Sequence, residues 1–95
     1  MYSLEQAVRA SPVLSQVAQR VAQSRRLMEV IRPLLPAPLR PHVQAGPVDD
    51  EAWCLLVANP AVATKLKQLS PALLAAIQQA GHAIPRLRIK VRSHR

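Results

Sequence analysis

The sequence predicts an α+β domain in which helices pack on one face of a three-stranded sheet, with elements in the order α-β-β-α-α-β. Residues 86–92 alternate strictly between cationic and aliphatic side chains, and residues 52–58 are apolar on both faces. Both patterns are typical of strands. Ser or Asn precedes Pro at 11–12, 59–60 and 70–71, and such pairs are typical of helix starts.

Length and composition indicate one folded, basic domain. The 95 residues suffice for a single core, and 49% hydrophobic against 19% charged residues is a globular balance. Thirteen Lys and Arg against five Asp and Glu give a formal charge of +8, which favours polyanions or acidic protein surfaces as partners. The lone cysteine, Cys54, excludes an internal disulfide, and no apolar run is long enough for a membrane span, so we expect a cytoplasmic protein.

An N-terminal helical segment, 1–32, is expected to join a core at 33–92 in one domain, followed by a tail at 93–95. Between 12 and 32, apolar residues recur at helical spacing and predict an amphipathic helix with a stripe facing the core. The stripe consists of Val13, Leu14, Val17, Val21, Leu27, Met28 and Ile31. Four prolines between 33 and 41 then predict a stiff connector.

Two strands and two helices follow the connector. Residues 42–48 contain a Gly-Pro pair and predict an edge strand, whereas 52–58 predict the central strand. Residues 60–69 and 71–80 predict paired helices, arranged as a hairpin or as one kinked helix, that stop at Gly81.

The last predicted strand carries the strongest functional feature, because its aliphatic residues share one face and its cations share the other. The cations are Arg86, Arg88, Lys90 and Arg92. Side chains two residues apart lie roughly 6.6 Å apart along a strand, which makes a ladder of charges on which a phosphate backbone can lie. The alternative is a charged edge that discourages aggregation between sheets.

Residues suited to catalysis are scarce. The carboxylates are Glu5, Glu29 and the turn at 49–51, and no nucleophile stands beside a recognisable base, so we expect no enzyme. The three histidines share no ligand spacing with Cys54, and the two glycines form no phosphate-binding loop. Neither a metal nor a cofactor is therefore expected, and Cys54 is interpreted as a small buried hydrophobic residue.

Aromatic residues, which stack on bases in many single-strand-binding proteins, are limited to Tyr2 and Trp53. Trp53 begins the central strand and is expected in the core, not on a stacking platform. Binding to a single strand would then be mainly electrostatic, tolerant of sequence and sensitive to salt.

Several segments together resemble a known family of bacterial proteins. They are Leu35-Pro36, His42, Trp53-Cys54-Leu55-Leu56-Val57, Ala61, Ala63, Lys65-Leu66-Lys67-Gln68-Leu69, Pro71, Leu73-Leu74, Ile89 and Val91. This pattern, within residues 27–92, is similar to that of the DciA family. The predicted element order also equals that of the second K-homology topology, which is an analogy of fold alone.

The resemblance implies a K-homology-like domain that is not enzymatic, binds nucleic acid and helps the replicative DnaB-type helicase onto single-stranded DNA. By position, it places Lys65 and Lys67 on the binding side together with the basic strand. One departure from true K-homology domains concerns residues 69–72, which lack the glycine loop that clamps a nucleic-acid backbone.

The expected partners are single-stranded DNA, or RNA, and the replicative helicase, with no membrane and no small-molecule substrate. Two alternatives stay open on the sequence. One is a K-homology-like RNA-binding protein, and the other is a protein-interaction module whose amphipathic helix at 12–32 docks on itself or on a partner.

Overall fold

The computed structural model describes residues 12–92, which form two helices and one three-stranded sheet. The helices are α1, Pro12–Ile31, and α2, Pro60–Gln79; the strands are β1, Val43–Val48, β2, Trp53–Val57, and β3, Leu87–Val91. The connector contains two short 3-10 turns, Arg32–Leu34 and Arg40–His42. The predicted α+β class is confirmed, whereas the predicted Ser11 helix cap lies outside the described residues.

The sheet has the order β1-β2-β3, so β2 is central and β1 is an edge strand, as predicted. β1 runs antiparallel to β2, with Val43 opposite Val57, and β3 runs parallel to β2, with Leu87 opposite Trp53. A parallel neighbour requires a crossover connection, which α2 supplies. The register of β1 shifts between Ala45 and Val48, at the Gly-Pro pair.

The core lies between one face of the sheet and the two helices. Trp53, Leu55 and Val57 of β2 are fully buried there, together with side chains of α1 and α2. The Trp53 Nε1–H donates to the Ser24 hydroxyl at 3.0 Å, and that hydroxyl donates to the Gly46 carbonyl at 2.8 Å. The predicted core position of Trp53 is therefore confirmed, and its indole joins β2, α1 and β1.

The two helices predicted at 60–69 and 71–80 form one continuous helix of 20 residues with Pro71 inside it. The order is therefore α-β-β-α-β. Of the two arrangements predicted for this segment, the single helix is observed and the hairpin is not, and the prediction of a second helix start at Ser70 is wrong. The Ser70 hydroxyl does not cap a helix but donates to the Leu66 carbonyl at 3.2 Å. An internal proline costs about 3 kcal/mol, and the buried residues Leu66, Leu73 and Ile77, placed on both sides of Pro71, offset that cost by packing on the sheet.

Both ends of α2 lie where the local sequence predicts them. The Asn59 side chain accepts a hydrogen bond from the Val62 N–H at 3.0 Å, which confirms the predicted cap. Gly81 has a φ of 95° and its N–H donates to the Gln78 carbonyl, while the His82 N–H donates to the Ile77 carbonyl. Glycine adopts this left-handed backbone without a steric cost, so the helix stops there.

Replacing Asn59 by Ala is expected to lower the free energy of unfolding by about 1 kcal/mol, because the Val62 N–H loses its acceptor. Urea denaturation followed by circular dichroism measures the change. Gln68→Ala, an exposed position on the same helix, is the control and should change stability by less. Equal midpoints for Asn59→Ala and the wild type would show that the cap does not contribute.

The core-facing stripe predicted along α1 is only half correct. Leu27, Met28 and Ile31 are buried, but Val13, Leu14, Val17 and Val21 are between 46% and 69% exposed. The first half of α1 lies beside the edge strand β1 but is separated from it by an open groove, so the sheet does not cover its valines.

Candidate nucleic-acid interface

The face of the sheet opposite the helices, which we call the open face, presents the cations of β3. Along β2, alternate side chains point away from the core, and these are Cys54 and Leu56. In the parallel register Arg88 lies beside Cys54, and Lys90 lies beside Leu56. Both cations are exposed, so the predicted alternation of β3 places them on the open face.

The ladder continues by one residue beyond each end of β3. The Arg86 carbonyl accepts from the Trp53 N–H at 3.1 Å, and the Arg92 N–H donates to the Val57 carbonyl at 2.8 Å. Both residues therefore keep the pairing and the alternation of the strand. The structure thus brings Arg86, Arg88, Lys90 and Arg92 together along one edge of the open face.

Two cations of the ladder already have polar partners within the chain. The Arg92 guanidinium donates to the Gln44 Oε1 of β1 at 2.9 Å and so reaches across the central strand. Arg88 forms an ion pair with Glu51 at 3.5 Å. Both side chains of the Arg88–Glu51 pair are more than half exposed, so the pair is weak and a phosphate can replace the carboxylate.

An acidic turn lies at the end of the open face where β2 begins. The backbone N–H groups of Ala52 and Glu51 donate to Asp49 Oδ1 at 2.8 Å each, and these bonds hold the pKa of the Asp49 carboxyl below its usual value. Asp49 is therefore ionised at neutral pH. A cavity of about 480 Å³, lined among others by Asp49, Cys54, Arg88 and Lys90, connects this turn with the cations.

Lys65 and Lys67, the other predicted site residues, are exposed on α2. This helix covers the core face of the sheet, where its buried residues meet Leu55 and Val57. The two lysines therefore belong to the layer opposite the open face.

The open face offers half-buried aliphatic surface and no aromatic ring from the described residues, because Trp53 is buried beneath the opposite face. Cys54, interpreted from the sequence as buried, is half-buried beside Arg88. Within residues 12–92, no cluster of three His, Cys, Asp or Glu side chains could hold a metal ion. What this surface offers a ligand is charge and hydrogen-bond donors.

The acidic turn and Gln44 were missed as parts of this surface by reasoning from the sequence. The sequence places Asp49 and Glu51 only in an acidic turn, because their proximity to Arg88 depends on β3 pairing parallel to β2. A local signal was available only in the position of the acidic residues directly before the central strand. Gln44 carries no charge, and only the sheet order places it within reach of Arg92.

No helix within residues 12–92 is both long enough and apolar enough to cross a lipid bilayer.

Comparison with known proteins gave one match. The family described as "Dna[CI] antecedent, DciA" matches residues 3–91, nearly the whole chain and a longer segment than the resemblance at 27–92. No curated protein and no solved structure matches significantly. The matching family is associated with the replicative helicase in DNA replication. An α+β domain with a basic open face, matched over almost all of its length, therefore belongs to the DciA family.

Proposed function

We propose that this protein binds single-stranded DNA through the open face of its sheet while it assists the replicative helicase. The observation that supports the proposal is the alignment of four cations along one edge of that face, where Arg86, Arg88 and Lys90 are exposed and Arg92 is half-buried. Cations at a repeat of roughly 6.6 Å suit a flexible phosphate backbone that runs along the strand. The formal charge of +8 adds a long-range attraction for polyanions.

The chemistry of the face favours phosphate contacts over base recognition. Guanidinium and ammonium groups bind phosphate oxygens, and such contacts position a strand without distinguishing its sequence. Leu56 and Cys54 supply aliphatic surface beside the cations but no ring on which a base could stack. We therefore expect binding that tolerates sequence and falls steeply with salt.

A K-homology-like fold is part of the proposal and is supported by the order helix, strand, strand, helix, strand, which differs from the second K-homology topology in having the single helix α2 where that topology has two helices. A K-homology clamp on RNA receives less support. In such domains a glycine loop between two helices holds the backbone, whereas residues 69–72 of this chain lie inside the continuous helix α2. Pro71 has no backbone N–H, and the N–H groups of its neighbours are used in hydrogen bonds within the helix. These groups are therefore not free to bind phosphates.

The proposed role is that of a binding protein without a catalytic step, a metal or a cofactor. It places the protein in the cytoplasm, where the replicating bacterial chromosome is located. Its partners are single-stranded DNA and the helicase.

Fluorescence anisotropy with labelled oligo(dT) and oligo(rU) of equal length tests the proposal. We expect salt-dependent binding to oligo(dT), with a similar affinity for oligo(rU), because a ladder of charges does not read the 2′-hydroxyl. No binding to either strand at 50 mM salt would contradict the proposal. A strong preference for oligo(rU) would favour the RNA-binding alternative.

Glu51→Gln is expected to tighten binding to oligo(dT) about two- to fivefold, because it frees Arg88 from its exposed ion pair and removes a repulsive charge beside the phosphates. Glu29→Gln is the matched control, since it removes one exposed carboxylate from α1. Equal affinities for these two variants would indicate that the acidic turn does not border the bound strand.

A further inference from the structure

The first half of α1 presents an apolar stripe that the domain does not bury. Val13, Val17 and Val21 follow one another at intervals of four residues, which places them on one side of the helix. Their exposed fractions are 69%, 54% and 49%. Three valines in a row on one exposed side are unusual for a surface that contacts only water, and they indicate a contact surface.

This stripe forms one wall of a groove of about 720 Å³. The opposite wall comes from the sheet and includes Ala45 and Pro47 of β1 and Leu56 of β2. Leu56 also belongs to the open face, so the groove borders the surface that carries the cations. A partner in the groove would lie next to a strand bound on the open face.

The edge strand in this groove is not suited to pairing with another strand. Pro47 has no N–H to donate, and the Gly46 carbonyl already accepts from Ser24. The irregular register between Ala45 and Val48 disturbs the edge further. A partner therefore finds an apolar trough between a helix and a blocked edge, which is the geometry that receives an amphipathic helix.

The charges that line the groove indicate which kind of partner helix would bind there. Arg20 and Arg25 line the groove, and Arg20 already binds the carboxylate of Asp50 at 2.7 Å. A second copy of this chain would bring the same arginines and another formal charge of +8 to the contact, and the two copies would repel each other. A helix with carboxylates beside its apolar face would pair with Arg25, and with Arg20 in exchange for the exposed Asp50.

We infer that this groove, between the first half of α1 and the edge of β1, receives an amphipathic helix of the replicative helicase that has acidic residues beside its apolar face. The inference rests on the proposed function in taking the helicase as partner. It assigns helicase contact to the groove and DNA contact to the open face, two adjoining surfaces of one small domain.

Binding of the full chain to the replicative helicase, measured by biolayer interferometry, tests this assignment. Val17→Glu should weaken binding at least about tenfold, because it places a charge in the apolar contact. Gln19→Glu is the matched control, since it adds the same charge to an exposed position of α1 that does not line the groove, and it should leave affinity nearly unchanged. Val17→Ser, without a charge, should also weaken binding, and Arg25→Glu should weaken it and reduce its dependence on salt.

The outcomes separate this inference from the proposed function. Val17→Glu should bind oligo(dT) like Gln19→Glu, whereas a variant of the open face should lose DNA and keep the helicase. Equal helicase affinities for Val17→Glu and Gln19→Glu would overturn the groove assignment and leave the helicase partner in place. A wild-type chain that does not bind the helicase would overturn both. Sedimentation that shows a dimer of the wild type, dissociated by Val17→Glu, would assign the groove to a second copy instead.

Discussion

The double variant Arg88→Gln with Lys90→Gln is expected to bind single-stranded oligonucleotides about 25-fold more weakly than the wild type at 0.1 M salt. These two side chains lie in the middle of the ladder, beside Cys54 and Leu56 of the central strand. Each phosphate contact to a single strand releases counterions and contributes about −0.7 to the slope of log K against log salt. Removing two contacts therefore removes about 1.4 units of slope. Over the one decade of salt between 1 M, where the two affinities should be equal, and 0.1 M, this difference amounts to a factor of about 25.

The wild type should show a slope of about −2.8 if each of the four cations neutralises one phosphate. That slope corresponds to roughly 50-fold weaker binding on raising the salt from 50 to 200 mM. The double variant should show about −1.4 and should weaken all sequences alike, because phosphate contacts carry no base information. Anisotropy titrations at several salt concentrations measure both quantities.

Lys65→Gln with Lys67→Gln is the charge-matched comparison, because it removes two exposed cations from α2 on the opposite layer. If the open face is the binding surface, this variant should change the slope much less than the β3 variant. An equal loss would extend the interface to α2, as the family resemblance implies. If the β3 variant kept the wild-type affinity and slope, β3 would not belong to the interface. Its charges would then serve to prevent aggregation between sheets.

Trp53→Ala is expected to lower the free energy of unfolding by roughly 3 to 5 kcal/mol, the largest effect on stability that we predict. The indole is fully buried at the centre of the core. Its removal leaves a cavity and deprives the Ser24 hydroxyl of its donor, so the contact from β2 to α1 is lost. The charged face of the sheet is not touched by this change.

Urea denaturation followed by far-ultraviolet circular dichroism measures the loss, since Trp53 is the only tryptophan and fluorescence would vanish with it. Trp53→Phe serves as the comparison: it keeps an aromatic ring in the core and removes only the N–H bond to Ser24, so it should cost less than Trp53→Ala. Near-wild-type stability of Trp53→Ala together with lost DNA binding would contradict its place in the core.

Much of the candidate site could be predicted from the sequence, because it depends on the pattern of residues within one strand or at one helix end. The alternation from Arg86 to Arg92 places cations on one face wherever the strand lies, since side chains of a strand alternate regardless of its neighbours. The Asn59 cap and the Gly81 stop are likewise local, because each satisfies or releases a few backbone groups at one helix end.

The remaining features could not be predicted from the sequence, because they depend on which helices and strands become neighbours in the fold. Ser70-Pro71 has the same local signal as Asn59-Pro60, yet the first pair lies inside α2 and the second begins it. The difference is that Leu66 and Leu73 pack on the same sheet face, and this burial outweighs the proline. The pairing of Arg88 with Glu51 likewise follows from the parallel register of β2 and β3.

By itself, the sequence determined that this protein is a basic α+β domain with Trp53 in its core and a row of cations on β3, because composition and short-range periodicity dictate those features. Only the tertiary structure decided that the row faces away from the helices beside an acidic turn, that Lys65 and Lys67 belong to the other layer, and that Val17 is left exposed. Periodicity states which residues share a side of an element, whereas burial of that side depends on whether another element is long enough and close enough to cover it.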